Sequence, residues 1–376
     1  MGCSQSLDIG TGSFNPSDSL QNELLKDREK NLAGGVESLP RSTKINGRFV
    51  HSKDIFPDHV NYGAKDFFRW RRTVDKVPAY TEEELEEHLP VRQPDRNALE
   101  TPPPGKLQST WLGHACVLVQ WDGWNVLADP VFSHRCSPVQ FAGPARIRPS
   151  PIQADQLPVI DAIVISHDHY DHLDENTVKA LAQLKPSPMW FVPLGMKSWM
   201  TSSGVHNVVE MDWSEKVTLH DMSSRKRPDL TVACLPCQHW CSRTATDKNK
   251  TLWASWICKT ESRSFFFGGD TGYCPVFSMI GDAFGSVSLA ALPIGAYGSA
   301  VERWFHKPNH MCPSEAVQVH QDLKCKQSVG IHWGTFPLTS EPIMEPPQKL
   351  EEAKKAAGLQ ESEFIVLEHG ETRVFD

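Results

Sequence analysis

Ten residues in the middle of the chain, I-S-H-D-H-Y-D-H-L-D (165–174), contain three histidines and three aspartates, directly after the apolar run D-A-I-V (161–164). His167 and His169 lie two residues apart, so on an extended segment both side chains point the same way. Imidazole nitrogens and carboxylate oxygens bind zinc, and a catalytic zinc keeps one position open for water. With Asp171 and His172 next on a loop, the spacing favours two neighbouring metal ions over a solvated acidic loop.

Further ligand candidates lie where other strand-like runs end. His239 follows L-T-V-A-C-L-P (230–236), Asp270 ends S-F-F-F-G-G-D (264–270), and His332 lies in S-V-G-I-H-W (328–333). Glycines let the backbone turn sharply, so the Asp270 carboxylate can reach between two metals. Each residue alone could be structural, but their shared position after apolar strands predicts one common site.

The cysteines around His239 offer a competing interpretation, because Cys234, Cys237, His239 and Cys241 have the residue types of a structural zinc knuckle. Such a site needs four converging ligands, whereas part of this run lies on a strand whose side chains alternate between faces. We favour the catalytic pair of metals for His239.

Many short strands with interleaved helices must position these residues, which indicates an α+β fold of two sheets with helices outside. Asp-Gly (122–123) is the favoured two-residue turn of a hairpin, and we assign His114 to this first hairpin as a structural residue. The expected strands are 114–121, 124–130, 161–166, 189–193, 230–236, 252–258, 264–270, 289–295, 328–333 and 364–370. The expected helices are 176–184, 313–320 and 351–357.

The motifs that carry these residues resemble a known family. They are W-L-G-H-A (111–115), L-A-D-P-V-F-S (127–133), I-S-H-D-H-Y-D-H-L-D (165–174), Q-H-W-C-S-R-T (238–244), F-F-F-G-G-D-T-G-Y-C-P (265–275), P-I-G-A-Y (293–297) and I-H-W-G-T-F (331–336). Together they are similar to the metallo-β-lactamase superfamily, and within it to the N-acylphosphatidylethanolamine-hydrolysing phospholipases D. The likeness runs from about Gly47 to the C-terminus.

The resemblance implies an αββα sandwich of two mixed β-sheets with helices on the outer faces and two zinc ions at one edge. It implies His167, His169 and His239 on the first zinc, Asp171, His172 and His332 on the second, and Asp270 bridging them. Superfamily members that hold iron typically place Glu at the position of His169, so His169 points to zinc. Two zinc ions lower the pKa of a bridging water, and the resulting hydroxide can attack a phosphodiester.

Four more residues are candidates around the metals. Asp129 is expected to orient a metal-bound imidazole, or else only to form an Asp-Pro turn. His310 in K-P-N-H-M-C-P (307–313) matches a family histidine that would protonate the leaving alkoxide or bind a phosphate oxygen. Gln140 matches a pocket-lining position, and we expect Tyr170 to contact substrate. The stretch 295–305 is longer than is usual in the family, and Asn309 stands where Gln is usual, so acyl-chain and head-group preference are not carried over.

Composition narrows the classes of protein. The chain has 376 residues, a formal net charge of −8 and ten cysteines without a disulfide-like spacing. The acidic balance argues against a nucleic-acid partner. No apolar run is long enough to span a membrane, and the start of the chain does not have the layout of a signal peptide. We therefore expect a reduced, intracellular protein.

The N-terminus predicts a lipid anchor. M-G-C-S-Q-S (1–6) fits the pattern that marks Gly2 for myristoylation, and Cys3 is placed for palmitoylation. One myristoyl chain holds a protein only marginally, and no Lys or Arg occurs in the first twenty residues, so Cys3 is the available second signal. A chance Met-Gly-Cys start is the alternative.

Three regions follow from these patterns: a flexible tail (1–46), an N-terminal extension (47–105) and a catalytic domain (106–376). In the extension, K-D-F-F-R-W-R-R (65–72) could touch a membrane surface, or its aromatic residues could pack onto the main domain.

The sequence thus predicts a zinc-dependent phospholipase D on the cytosolic face of a membrane, with a phospholipid as substrate. A homodimer is suggested by the resemblance alone. Another metallo-β-lactamase-fold hydrolase, acting on a lactone or a nucleotide phosphodiester, is the second interpretation. A tethered lipid-binding protein with a decayed site is the third, and the complete ligand set argues against it.

Overall fold

The computed structural model describes residues 36, 38–74, 79–221 and 226–376. Gly2, Cys3 and most of the predicted tail lie outside these residues. The strands are β1 Thr43–Ile45, β2 Arg48–Val50, β3 Leu107–Gly113, β4 Cys116–Trp121, β5 Trp124–Ala128, β6 Ala162–Val164, β7 Met189–Pro193, β8 Val208–Met211, β9 Lys216–Leu219, β10 Leu230–Leu235, β11 Ser255–Lys259, β12 Ser264–Phe267, β13 Leu289–Pro293, β14 Gln327–Ile331, β15 Phe364–Val366 and β16 Thr372–Phe375. The α-helices are α1 Ala64–Thr73, α2 Glu82–His88, α3 Arg96–Glu100, α4 Glu175–Leu181, α5 Lys197–Ser202, α6 Val276–Phe284, α7 Arg303–His306, α8 Pro313–Asp322 and α9 Glu345–Ala357.

Strands β3 to β16 form two seven-stranded mixed sheets that are built alike, and β1 and β2 form a separate two-stranded antiparallel sheet. The first has the order β16-β3-β4-β5-β6-β7-β8, and the second has the order β15-β14-β13-β12-β11-β10-β9. In the first sheet the strands from β16 to β5 pair antiparallel and those from β5 to β8 parallel. In the second, β9 to β12 pair antiparallel and β12 to β15 parallel. The expected α+β sandwich is therefore confirmed.

The alternation of side chains in β4 explains the layers. Val117, Val119 and Trp121 belong to the large cluster that also contains the apolar residues of the second sheet. Cys116 and Leu118 belong to a separate cluster with the buried side chains of α4. Successive residues of a strand point to opposite faces, so β4 is buried on both sides, between the other sheet and a helix layer.

The first hairpin turns at Asp122 and Gly123, whose φ angles are 50° and 81°. Positive φ at both turn residues is what the Asp-Gly pair favours in a two-residue hairpin. The turn lies at the opposite end of β5 from Asp129, which leaves that end of the strand free for the site.

The N-terminal extension packs on the catalytic region. The buried Arg148 side chain bonds to Glu82 and Glu86 of α2, both at 2.6 Å. Trp70 of α1 stacks on Phe305, with ring centroids 5.1 Å apart. The domain boundaries stay predictions. No helix in the described ranges has both the length and the apolar character needed to span a membrane.

Candidate metal centre

Loops from both sheets bring the predicted ligands together, and each loop begins within a few residues of a strand end. The first sheet supplies Asp129 after β5 and the residues 167–172 after β6. The second sheet supplies His239 after β10, Asp270 after β12 and His332 after β14. Polar residues that are far apart in sequence meet because the two sheets pack face to face.

Three imidazoles form the first group. His167 Nε2 lies 2.8 Å from His169 Nδ1, and His239 Nε2 lies 3.3 Å from the same atom. These nitrogens converge on one point, as the three imidazole ligands of a catalytic zinc do. The structure thus brings together the three residues assigned to the first metal.

A carboxylate and three imidazoles form the second group. Asp171 Oδ2 lies 3.4 Å from His172 Nε2, 3.6 Å from His332 Nε2 and 2.9 Å from His114 Nε2. Asp171, His172 and His332 are the residues assigned to the second metal. His114, expected as a structural residue of the first hairpin, also contacts Asp171 through its buried ring. The W-L-G-H-A motif was the available signal for this role.

Asp270 lies between the two groups. Its Oδ2 is 3.1 Å from His172 Nε2, 3.9 Å from His167 Nε2 and 3.7 Å from His239 Nε2. Its Oδ1 is 2.9 Å from His332 Nε2. One carboxylate therefore contacts imidazoles of both groups, as a bridging ligand must.

The ring nitrogens that face away from the centre are held by the protein. Asp129 Oδ2 lies 2.7 Å from His172 Nδ1, and Ser166 Oγ lies 2.9 Å from His167 Nδ1. The carbonyl of Asn309 lies 3.0 Å from His239 Nδ1. Such contacts fix the tautomer and the ring plane, and thus leave the other nitrogen free to bind a metal. Asp129 thus contacts one of the predicted ligand imidazoles, which is the contact that the first of its two expected roles requires.

The electrostatics of the centre fit a cation. Burial alone would raise the pKa of Asp270, but His172 and His332 hold it well below its usual range. Burial lowers the pKa of His332, yet Asp270 and Asp171 raise it to about 9. Buried carboxylates thus draw positive charge onto neighbouring imidazoles, and a metal ion supplies that charge without protons.

The backbone is strained where side chains turn into the centre. His114, Asp129 and His332 have φ angles of 54°, 35° and 62°. This left-handed region costs a non-glycine residue about 1–3 kcal/mol and persists only where the surroundings enforce it. Gly269, with φ of 59°, is required for a different reason: a Cβ there would lie 2.5 Å from the Ser166 Cβ.

His310 faces the same centre. Its Nδ1 lies 3.8 Å from Asp270 Oδ2 and has no hydrogen-bond partner. Burial lowers the pKa of His310 to about 3. A neutral imidazole can donate a hydrogen bond to a phosphate oxygen, so of its two predicted roles this one fits the surroundings better.

The two other predicted substrate contacts are engaged elsewhere. Gln140 is exposed, and its amide oxygen and nitrogen bond to the backbone of Arg135 at 3.1 and 3.0 Å. The Tyr170 hydroxyl donates to the carbonyl of Arg243 at 3.0 Å. Both side chains are thus engaged with the backbone, and their substrate-binding roles stay predictions.

Arg243, which the sequence did not single out, holds the loop that carries the candidate ligands 167–172. Its Nη1 donates to the carbonyls of Asp168 and Leu173, both at 2.8 Å. Its guanidinium lies over the Tyr170 ring, 4.1 Å from the centroid. A single cation thus ties down both ends of the segment that carries His169, Tyr170 and His172.

The cysteine knuckle is absent from the part of the chain that the structure describes. The thiols of Cys234, Cys237 and Cys241 each contact a backbone carbonyl, and the candidate metal groups contain no cysteine.

The sequence and the fold are similar to those of known proteins. Residues 124–333 match the family described as a beta-lactamase superfamily domain. Over 273 residues the chain is 44% identical to an N-acyl-phosphatidylethanolamine-hydrolyzing phospholipase D of Caenorhabditis elegans, covering 70% of this chain and 75% of the worm protein. Over 296 residues it is 35% identical to a mitochondrial enzyme of the same name from Saccharomyces cerevisiae, covering 77% and 59%. The solved structure of Igni18, a metallo hydrolase from Ignicoccus hospitalis, aligns with a TM-score of 0.51 and 22% identity, over 72% of this chain and 99% of that one.

Proposed function

Because the chain belongs to the metallo-β-lactamase superfamily, as a member of the N-acyl-phosphatidylethanolamine-hydrolyzing phospholipase D family, we propose that it hydrolyses N-acylphosphatidylethanolamine. Water adds to phosphorus, the bond from phosphorus to the ethanolamine oxygen breaks, and the leaving oxygen takes a proton. The products are phosphatidate and an N-acylethanolamine. The observation that carries the proposal is Asp270, whose carboxylate lies within 4 Å of imidazoles in both ligand groups.

Two zinc ions, when bound, would lower the pKa of a water between them and neutralise charge on the phosphoryl oxygens. His167, His169 and His239 would hold one ion, and Asp171, His172 and His332 the other, because the ligand atoms within each group converge. Imidazole-rich ligation with His169 rather than a carboxylate favours zinc.

The residues of the chain have separate tasks in this proposal. Asp270 holds the two halves of the site together, and Asp129 and Ser166 fix the rings of His172 and His167. His310, neutral and without a partner on Nδ1, donates to a phosphate oxygen. Preorganised donors of this kind stabilise charge that develops during the reaction.

A membrane-resident substrate implies contact with a membrane surface. Phe67 and Phe68 on α1 are 45% and 63% exposed, beside the exposed Arg71 and Arg72. Exposed aromatic rings next to basic side chains suit an anionic phospholipid surface. We also propose that the protein attaches peripherally to the cytosolic face of a membrane and that it forms a homodimer.

The decisive experiment is hydrolysis in water labelled with heavy oxygen, using metal-analysed protein and N-acylphosphatidylethanolamine in mixed micelles. The label should enter phosphatidate and not the N-acylethanolamine, and Asp270→Asn should abolish turnover. An acyl-homoserine lactone and a cyclic nucleotide serve as competing substrates. Turnover of either of these without turnover of the phospholipid would refute the proposal.

A further inference from the structure

A cavity of about 280 Å³ lies where the N-terminal extension meets the loop 245–249 of the catalytic region. The extension contributes Arg48, His51 and Asn61 to its wall, and the loop contributes Thr246 and Lys248. Arg48 joins the two sides, because its guanidinium donates to the carbonyl of Thr246 at 2.9 Å and to the carbonyl of Lys248. The cavity is therefore a built junction between the two regions.

Two cations line this cavity, and no carboxylate does. Neither cation forms an ion pair within the described chain: Arg48 bonds to carbonyls, and Lys248 Nζ lies 5.3 Å from the centroid of the Trp240 ring. Burial, and then the charges of Lys53 and Lys248, lower the pKa of the neighbouring His59 to about 4. Lys53 thus adds a third positive charge close by.

The other polar side chains of the wall can donate hydrogen bonds as well. Asn61 Oδ1 lies 3.2 Å from His59 Nε2, so this contact leaves the amide NH₂ of Asn61 to donate. The ring nitrogens of His51 are buried and form no hydrogen bond of normal geometry with the described residues. Asp247, the acidic residue of the loop, does not line the cavity, and its carboxylate accepts from Ser242 Oγ at 2.9 Å. A guanidinium, an ammonium, an amide and an imidazole thus surround one space.

We propose that this cavity binds a phosphate group at a site separate from the metal centre. A phosphate monoester carries about 1.5 to 2 negative charges and three strong acceptor oxygens, which suits a cavity with several donors and no carboxylate. Hydrogen bonds between such ionised groups are the strong ones, and a guanidinium fork matches phosphate geometry. Free phosphate compounds and the head group of phosphatidate share this chemistry.

The position of the cavity makes both sources of phosphate accessible. None of the residues that line it is a candidate metal ligand. Trp240 contacts Lys248 on one side and His169 on the other, with 4.4 Å between the Trp240 and His169 ring centroids. Asn61 comes shortly before α1, whose exposed phenylalanines are the proposed membrane contact. A lipid head group could thus enter while α1 touches a bilayer, and the proposed hydrolysis does not require this site.

Protection of Lys248 from an amine-acetylating reagent tests the site in the metal-loaded, full-length protein. Mass spectrometry of the peptides reads the modification of Lys248 and of Lys250, an exposed lysine on the same loop that serves as an internal control. Inorganic phosphate is compared with acetate and with chloride at equal ionic strength, so that screening is the same in all samples.

The variant Asn61→Asp places a carboxylate in the cavity but keeps an acceptor for His59. The matched control is Asn46→Asp, which adds the same charge at an exposed turn residue outside the cavity.

Phosphate should slow acetylation of Lys248 and leave Lys250 unchanged, because the bound anion covers the Lys248 ammonium. At about ten times the dissociation constant the effect should be about tenfold, since the fraction of empty sites falls by about that factor. Asn61→Asp should abolish the protection by repelling the anion, whereas Asn46→Asp should keep it. Acetate and chloride should not protect.

Vesicles distinguish the two sources of phosphate. Protection by phosphatidate in phosphatidylcholine vesicles, but not by phosphatidylglycerol at equal surface charge, identifies a lipid head group. Protection by dissolved phosphate alone identifies a soluble phosphate compound. The proposal is overturned if neither protects Lys248, if acetate protects equally, if Lys250 is protected to the same extent, or if the protection survives in Asn61→Asp.

Discussion

At the scale of single residues, the centre depends on atoms that would not touch a metal. The bond between Asp129 and His172 Nδ1 is 2.7 Å long, and Asp129 also accepts from the Ser166 backbone N–H at 2.7 Å. Asp129 is fully buried, so its carboxylate cannot exchange these partners for water. A side chain without direct metal contact can thus decide how well His172 binds one.

Asp129→Asn should weaken metal binding. The asparagine amide is about as large as the aspartate carboxylate but is a weaker hydrogen-bond acceptor. Loss of a hydrogen-bond partner of a metal-binding histidine typically lowers metal affinity by about 10–100-fold. Competition with a chelator, followed by elemental analysis, measures the loss. Asp58→Asn, at an exposed position away from the centre, is the matched control. Equal zinc affinity in both variants would show that Asp129 only forms a turn.

The buried His369 makes the free energy of unfolding depend on pH. His369 is fully buried, and burial, together with Arg146 and Arg148, lowers its pKa to about 3 from the ordinary value of 6.5. The unfolded chain therefore binds more protons than the folded chain between these two pH values. The stabilising contribution of neutral His369 is fully present above pH 6.5 and is lost progressively as the pH falls toward 3.

His369→Gln should remove this dependence, because glutamine does not titrate. In metal-free protein, the free energy of unfolding of the wild type should fall with decreasing pH below about 6.5 by up to about 1.4 kcal/mol per unit more than that of the variant. Urea unfolding at about pH 7 and about pH 5 gives the difference. The exposed His206→Gln should behave like the wild type. Parallel curves for His369→Gln and the wild type would contradict the prediction.

At the scale of elements, the ends of strands were harder to predict than their centres. The strand expected at 189–193 is found as Met189–Pro193, whereas those expected at 264–270 and 328–333 end at Phe267 and Ile331. Asp270 and His332 lie beyond these ends because glycines and a left-handed backbone interrupt the pairing before the apolar pattern stops. The same break places the ligands in loops.

Other elements left little periodic signal. β3 has the buried polar residues Gln108, Ser109 and Thr110, and its pattern does not alternate. The buried Gln108 amide donates a hydrogen bond to the Gln120 side-chain oxygen at 2.9 Å, a contact that only the folded sheet provides. The helix expected at 351–357 begins at Glu345, since prolines are tolerated in its first turn.

Helix α1 reconciles the two interpretations of its aromatic residues. Trp70 packs against Phe305, and the Arg69 guanidinium lies 4.6 Å from the centroid of the Trp304 ring. Phe67 and Phe68 instead remain exposed. Trp70 and Arg69 thus anchor the helix to the protein, while Phe67, whose ring centroid lies 5.5 Å from that of Trp70, and Phe68 leave apolar surface exposed beside the anchor.

Replacing both Phe67 and Phe68 by Ser should weaken binding to vesicles. Burying a phenylalanine contributes about 1.5–3 kcal/mol, so even partial insertion of two rings predicts a loss of at least about tenfold. Sedimentation with vesicles that contain anionic phospholipid measures this partition. Met279→Ser on α6 removes an exposed apolar side chain elsewhere and should have no effect. If the double variant sediments as the wild type does, α1 is not the membrane contact.

At the scale of the whole molecule, the ligand set could be predicted but its arrangement could not. Residues from two separate sheets meet at one centre. The spacing along the chain does not say which of these distant residues share a metal, and the grouping came from the family resemblance. The cavity beside His332 needs α2, Trp333 and Ile343 to be adjacent. That adjacency depends on how the N-terminal extension packs, for which the sequence has no periodic signal.

The proposed substrate stays in a bilayer, so the whole chain would have to reach it there. A myristoyl group on Gly2 would give only marginal attachment, which palmitate on Cys3 or the exposed rings of α1 would strengthen. Tethering raises the local concentration of substrate, so anchoring should matter more for bilayers than for micelles. The position of the rings on α1 is known, whereas Gly2 and Cys3 lie outside the described residues.

Gly2→Ala should therefore move the protein from the membrane to the soluble fraction of expressing cells, because alanine at this position cannot be myristoylated. Turnover of micellar substrate by the purified variant should equal that of the wild type, since Gly2 is remote in sequence from the metal ligands. Cys3→Ser tests the second signal and should give weaker, reversible attachment. Incorporation of a clickable myristate analogue reports the modification directly. If the Gly2 variant lacks the label but stays with the membrane, α1 or another surface holds the protein, and the N-terminal signal is not its anchor.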